Sequence, residues 1–206
     1  MHETIEIPLT GQPWSLEGRW SPAGDEAAVV APPHPLYGGN ADNPVVLSLV
    51  EGLAAANHGV LAFNWRGCGR SGGIRSGEFA DAEADYRAAL DRLRKIAKAP
   101  RVAAGYSFGA LAAISTALAS DGIERLLLVS PPATFFEQVP LERFEGAVDL
   151  ICGDRDEFSP LAMLTSLEAR MPTLNLRILA GADHFFSSGG FAEIREFARM
   201  ADPFAT

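Results

Sequence analysis

Cysteine is nearly absent: the 206 residues hold two, Cys68 and Cys152. Two are too few for a disulfide framework and have no metal-site spacing, so the expected setting is the reducing cytoplasm and no metal is expected. Positive charge is also scarce. Lys and Arg number 17 against 26 Asp and Glu, a formal net charge of −9, and no basic cluster interrupts the acidic excess. A nucleic-acid or anionic-membrane partner is therefore not expected. Long apolar runs are missing too. Stretches such as Leu126 to Val129 fall far short of the roughly 20 residues that cross a bilayer. The start, Met1 to Glu6, has no basic region followed by an apolar stretch and does not read as a secretory signal.

What is present is the composition of a globular protein, 48% apolar and 21% charged, in a length that suits one domain, 1–206, with a sizeable core. No repeat or low-complexity tract appears. Thr4 to Leu9 and Trp14 to Trp20 alternate around the turn Thr10-Gly11-Gln12-Pro13 and predict an antiparallel hairpin. From residue 27 onward short apolar runs alternate with helical ones, the signal of βαβ units on a mostly parallel sheet. The strands are expected at Ala27 to Ala31, Val60 to Asn64, Arg101 to Tyr106, Leu126 to Ser130, Ala147 to Gly153 and Leu174 to Ala180. Helices are expected at Pro44 to Asn57 with Asn43 as N-cap, Phe79 to Lys98, Phe108 to Ala119, from the Ser159-Pro160 cap to about Met171, and from about Phe191 to Ala201.

The most informative residues are Gly105-Tyr106-Ser107-Phe108-Gly109, where a buried strand meets a buried helix with no loop between them. This is the G-x-S-x-G pattern of a nucleophile elbow. So sharp a turn strains the central residue and needs small neighbours two positions either side. It holds a serine hydroxyl above the sheet at a helix N-terminus, where dipole and free N–H groups favour negative charge.

A serine hydroxyl is a poor nucleophile alone and needs a histidine base oriented by a carboxylate. Of four histidines, His2 lies at the terminus, His34 in a proline-rich loop and His58 at a helix end. His184 follows the last strand, in Gly181-Ala182-Asp183-His184-Phe185-Phe186, on the sheet edge expected to carry Ser107; it is the natural base. For the acid, the loop Gly153-Asp154-Arg155-Asp156-Glu157 offers two aspartates. Asp156 stands clear of the strand and is preferred. Asp154 is the alternative, with a turn-capping role or a pairing with Arg155 as its plain reading.

With Ser107, Asp156 and His184 in that chain order, the sequence resembles the α/β-hydrolase superfamily. The segments His34-Pro35-Leu36-Tyr37-Gly38-Gly39-Asn40, Asn64-Trp65-Arg66-Gly67-Cys68-Gly69-Arg70-Ser71 and Gly181 to Phe186 look like those of small lidless bacterial hydrolases related to dienelactone hydrolases and serine esterases. The resemblance implies a mostly parallel sheet with helices on both faces and no cap domain. Its Gly-x-x-Asp-x-x-x-Pro pattern falls on Gly153, Asp156 and Pro160, which favours Asp156. It places one oxyanion-hole donor at the N–H of Phe108 and the second at Leu36, with Tyr37 as runner-up. Pro35 has no N–H to give.

The expected activity is cleavage of a small acyl substrate, a carboxylic ester or thioester, with no cofactor. Amide cleavage or acyl transfer by the same residues is the near alternative, and a non-catalytic binding module the distant one. His34 is expected to hold the turn around Leu36 by bonding backbone. Arg66 and Arg70 are expected to pair with nearby carboxylates, and Cys68 to act as a small buried hydrophobe. Trp65, Phe135, Phe136, Phe158, Phe185 and Phe186 are candidates for either acyl pocket or core. Only a short segment, Pro131 to Gly146, separates two strands where lipases of the superfamily carry a lid.

Overall fold

The computed structural model describes residues 2–200; Ala201, the expected end of the last helix, lies outside them. Strand β1 (Glu3–Pro8) and strand β2 (Ser15–Ser21) form the antiparallel hairpin. β2 also runs antiparallel to β4 (Gly59–Phe63). All other pairings are parallel: β3 (Glu26–Ala31) lies between β4 and β5 (Ala99–Tyr106), followed by β6 (Arg125–Val129), β7 (Ala147–Gly153) and β8 (Leu174–Leu179). The order is β1-β2-β4-β3-β5-β6-β7-β8. The chain first moves outward from β3 to β4, then returns across β3 to β5. Their carboxyl ends therefore flank the crevice in which open parallel sheets bind ligands.

Helices α1 (Pro44–Ala55) and α5 (Phe191–Met200) cover one face; α2 (Phe79–Ile96), α3 (Phe108–Leu118) and α4 (Leu161–Glu168) cover the other. Strand alternation divides the core between them. Ala28, Val30, Val60, Ala62, Leu127 and Val129 pack under α1 and α5, whereas Val29, Leu61, Phe63, Leu126 and Leu128 pack under α2 and α3. Because both faces are buried, the strands read as continuous apolar runs rather than alternating ones.

Several ends differ from the sequence expectation. β5 starts two residues early, at Ala99, and takes in Pro100; a register shift between Ala27 and Ala28 accommodates a residue that cannot donate to the ladder. α1 stops at Ala55, two residues before Asn57 with its φ of 63°, and α2 stops at Ile96. Ser159 does not cap α4. Its hydroxyl donates to the Pro131 carbonyl at 2.6 Å, its N–H belongs to the turn around Asp156, and Pro160 stands at the cap position.

Between β6 and β7 the chain makes only two single 3₁₀ turns, Ala133–Phe135 and Leu141–Arg143, pinned by buried Val139, Leu141 and Phe144; there is no cap domain. The loop after β4 is tied down by charge. Arg66 reaches Asp85 at 2.8 and 3.0 Å and also bonds Asp81, while Glu17 accepts from the Arg70 N–H at 2.9 Å and the Asn64 amide at 2.8 Å. Arg66 and Arg70 are thus paired with carboxylates.

Candidate active site

Ser107 sits between the last residue of β5 and the first of α3 with φ 55° and ψ −119°, a conformation that residues with a Cβ rarely hold. The flanking glycines are there for close approach. A Cβ on Gly105 would lie 2.4 Å from the Gly109 backbone, and one on Gly109 would lie 2.4 Å from the Pro32 carbonyl oxygen. Although Ser107 occupies the N-cap position, its side chain makes no capping bond. It points instead to His184, with Oγ 2.9 Å from Nε2.

His184 lies on the loop between β8 and α5. The Tyr106 hydroxyl donates to its backbone carbonyl at 2.7 Å, and its ring rests 4.6 Å from the Phe158 ring and 5.3 Å from that of Phe185. Nδ1 is 3.0 and 2.9 Å from Oδ1 and Oδ2 of Asp156. A carboxylate there accepts Nδ1–H, which leaves Nε2 as the ring's acceptor, facing the Ser107 hydroxyl.

The Asp156 side chain is wholly buried. Its Oδ1 accepts the N–H groups of Phe158 at 2.9 Å and Ser159 at 3.0 Å, and the Cys152 thiol lies 3.5 Å from Oδ2. Burial by itself raises a carboxyl pKa. Here the hydrogen bond and charge of His184, helped by the Phe158 N–H, outweigh it and hold Asp156 below the ordinary aspartate value. Asp154 is placed elsewhere: exposed, it accepts the Gly181 N–H at 2.7 Å and so braces the base of the histidine loop.

Across from His184, the Phe108 N–H opens α3, where no carbonyl of the same helix lies four residues back to receive it. The loop after β3 forms the 3₁₀ turn Pro35–Tyr37, capped by His34, whose Nδ1 accepts the Leu36 N–H at 3.2 Å. The Tyr37 N–H is engaged by the His34 carbonyl at 3.1 Å. The His34 ring packs 4.5 Å from Phe108 and 4.9 Å from Tyr37. Burial lowers its pKa, and a hydrogen bond to the Gly77 backbone offsets part of that.

The family model described as "Serine aminopeptidase, S33" matches residues 38–173, a span that holds Ser107 and Asp156 and stops short of His184. The chain belongs to this family of the α/β-hydrolase superfamily. An uncharacterized protein of Rickettsia prowazekii (strain Madrid E) is 31% identical over 201 residues, spanning 88% of this chain and 82% of its own. Among solved structures, an α/β serine hydrolase homologue from Coxiella burnetii matches with a TM-score of 0.84 at 26% identity, over 96% of this chain and 95% of that one. A serine hydrolase without a lid from Xanthomonas campestris shares the fold, with a TM-score of 0.80 at 22% identity over 96% and 92% of the two chains.

The structure of this hydrolase also sorts the aromatic candidates. Trp65 and Phe186 are core, Phe136 is half-buried, and Phe135, Phe158 and Phe185 are exposed, the last two beside His184. Cys68 is buried. Sequence reasoning missed Tyr106, whose signal was available: strand alternation turns it opposite to Gly105, and a buried tyrosine hydroxyl needs a partner. Among the described residues no group of three or more His, Cys, Asp and Glu side chains is arranged to hold a metal ion, and no helix is long and apolar enough to cross a membrane.

Proposed function

We propose that the chain cleaves a small carboxylic ester or thioester through an acyl-serine intermediate, with Ser107 as nucleophile, His184 as base and Asp156 as orienting acid. The observation that carries this reading is the 2.9 Å approach of Ser107 Oγ to His184 Nε2 at a strained strand-to-helix turn. Ser107 Oγ attacks the acyl carbon while Nε2 takes its proton, and the charge that forms on the imidazole is balanced by Asp156 across 2.9 Å. The tetrahedral oxyanion is held by the N–H groups of Phe108 and Leu36. To serve, the Leu36 N–H exchanges its 3.2 Å bond to His34 for a charged acceptor, and charge-assisted bonds are the stronger kind. Nε2–H then passes its proton to the departing alcohol or thiol. A water enters by the reverse of these steps, releasing the carboxylic acid and restoring the serine.

Exposed Phe158 and Phe185 on the histidine side, and exposed Leu36 and Tyr37 on the other, rim an open site suited to a small apolar acyl group. Amide cleavage is a second reading, favoured by the family description, since the same acyl-enzyme serves it. Hydrolysis of p-nitrophenyl acetate and of matched p-nitroanilides by wild type and Ser107→Ala tests both. The ester should turn over faster than the anilide, and Ser107→Ala should lose roughly 10³-fold or more. Equal turnover by wild type and Ser107→Ala would remove Ser107 as nucleophile, and no turnover by folded wild type would leave only a binding module.

A further inference from the structure

Two large apolar side chains stand in water beside the proposed base: Phe185 is 66% exposed and Phe158 is 46% exposed. The local backbone requires neither ring. The histidine loop is anchored by the next residue, Phe186, which is buried and packs 6.0 Å from the Tyr106 ring. Phe158 serves Asp156 through its N–H at 2.9 Å, which any residue but proline can supply. Yet the two rings, one from the loop after β7 and one from the loop after β8, come together. Their centroids are 6.3 Å apart with planes at 82°, and they lie 4.6 and 5.3 Å from the His184 ring. The result is an exposed aromatic corner against the imidazole.

The direction of proton transfer decides which half of a substrate reaches this corner. His184 Nε2, 2.9 Å from Ser107 Oγ, takes the serine proton. The same nitrogen returns it to the departing oxygen as the bond between that oxygen and the acyl carbon breaks and the alcohol leaves. The departing oxygen therefore lies within hydrogen-bond reach of Nε2, while the carbonyl oxygen lies across the site against the Phe108 N–H. The alcohol half emerges beside the imidazole, where its neighbours are Phe158 and Phe185. The acyl half is left to the side of Leu36 and Tyr37.

We propose that Phe158 and Phe185 form the subsite for the alcohol half and select esters of aromatic alcohols. Two rings near a right angle receive a third in both arrangements that aromatic pairs prefer, offset-stacked on one and edge-on to the other. Filling the corner also removes from water apolar surface that the free protein leaves exposed. The proposal rests on the reading of Ser107, His184 and Asp156 as the catalytic set and adds to it the chemical class of the leaving half.

The test holds the acyl group constant and varies the alcohol. Benzyl, cyclohexylmethyl and ethyl acetates have leaving groups of similar acidity, so their kcat/KM ratios report how the alcohol half is held rather than its intrinsic reactivity. Wild type should favour benzyl over ethyl acetate by roughly tenfold or more, and benzyl over cyclohexylmethyl acetate by about threefold, the share that needs a ring face. Phe185→Ala, at an exposed position, should fold and lose most of both preferences, whereas Phe185→Leu should lose chiefly the second. Phe158→Ala also unpacks the His184 ring, so it should slow every ester and the benzyl ester most. Ethyl phenylacetate against ethyl acetate is the control with the ring on the acyl half, and that ratio should be the same in wild type and Phe185→Ala. An unchanged benzyl-to-ethyl ratio in folded Phe185→Ala, or a change confined to the phenylacetate ratio, would overturn the subsite while an inactive Ser107→Ala left the catalytic set standing. Turnover of these esters by Ser107→Ala at the wild-type rate would instead overturn the catalytic set.

Discussion

The Tyr106 hydroxyl donates to the backbone carbonyl of His184 at 2.7 Å, joining residues 78 positions apart in the chain. The residue immediately before the proposed nucleophile thereby sets the height of the proposed base above the sheet. Burial, with the charges of Asp156 and Asp183, raises the phenol's pKa, so it remains a donor across the range in which the protein works. The residue best placed to register both partners is part of the elbow itself.

Replacing that hydroxyl gives the first prediction. Tyr106→Phe keeps the ring packed against Phe186 and should cost about 1 kcal/mol of stability. Because the histidine loop loses its tether, kcat should fall several-fold more than KM changes. Steady-state kinetics and thermal melts together check this; wild-type kcat in the variant would show that the loop holds His184 without Tyr106.

The two aspartates of one loop should behave differently. Asp156→Asn presents an amide to His184 Nδ1 and favours the wrong tautomer, so kcat should drop by roughly 10⁴-fold. Asp154→Asn can still accept the Gly181 N–H through its amide oxygen and should stay within a few-fold of wild type. Measuring kcat for both variants decides between them, and a larger loss in Asp154→Asn would reverse the assignment.

Why the sequence carried so much of this site is visible in particular residues. Gly105-Tyr106-Ser107-Phe108-Gly109 is a local signal, because the elbow's demands for small neighbours and a helix start fall within five residues. The order Ser107, Asp156, His184 follows from strand succession, since parallel strands bring all their carboxyl ends to one edge. Not legible were links that depend on tertiary distance. The Ser159 hydroxyl looked like a helix cap and goes to Pro131, 28 residues away. By contrast, the backbone bond expected of His34 was legible, and it falls on the Leu36 N–H. Phe158 and Phe186 are alike in sequence, yet one is exposed beside His184 and the other is core.

His34 makes acid stability testable. Burial sets its folded pKa below the ordinary histidine value, which is about 6.5. Between the folded and unfolded pKa the unfolded chain binds a proton that the native one refuses. Stability therefore rises with pH through that window and is lost as pH falls through it. His34→Asn retains a short-range acceptor for the Leu36 N–H and does not titrate. Its melting temperature should vary less with pH than that of wild type just below the ordinary histidine pKa. Asp156, held below the ordinary aspartate value, contributes acid loss only at lower pH, near and below 4. Equal pH slopes for wild type and His34→Asn would remove His34 from the account.

The short stretch between β6 and β7 predicts behaviour at interfaces. Val139, Leu141 and Phe144 anchor it in the core, and only Phe135 of its large apolar side chains is exposed. No segment there can swing to uncover an apolar surface. Activity on p-nitrophenyl esters from acetate to palmitate should favour short chains and show no jump at the aggregation concentration. Preference for palmitate with activation on aggregation would contradict this.

The most direct measurement of the central claim is covalent labelling by a fluorophosphonate, located by mass spectrometry of the intact protein and its peptides. An elbow serine 2.9 Å from an oriented imidazole should be modified once, at Ser107, with labelling abolished in Ser107→Ala and strongly slowed in folded His184→Ala. Unlabelled native protein, or equal labelling of wild type and Ser107→Ala, would contradict the account.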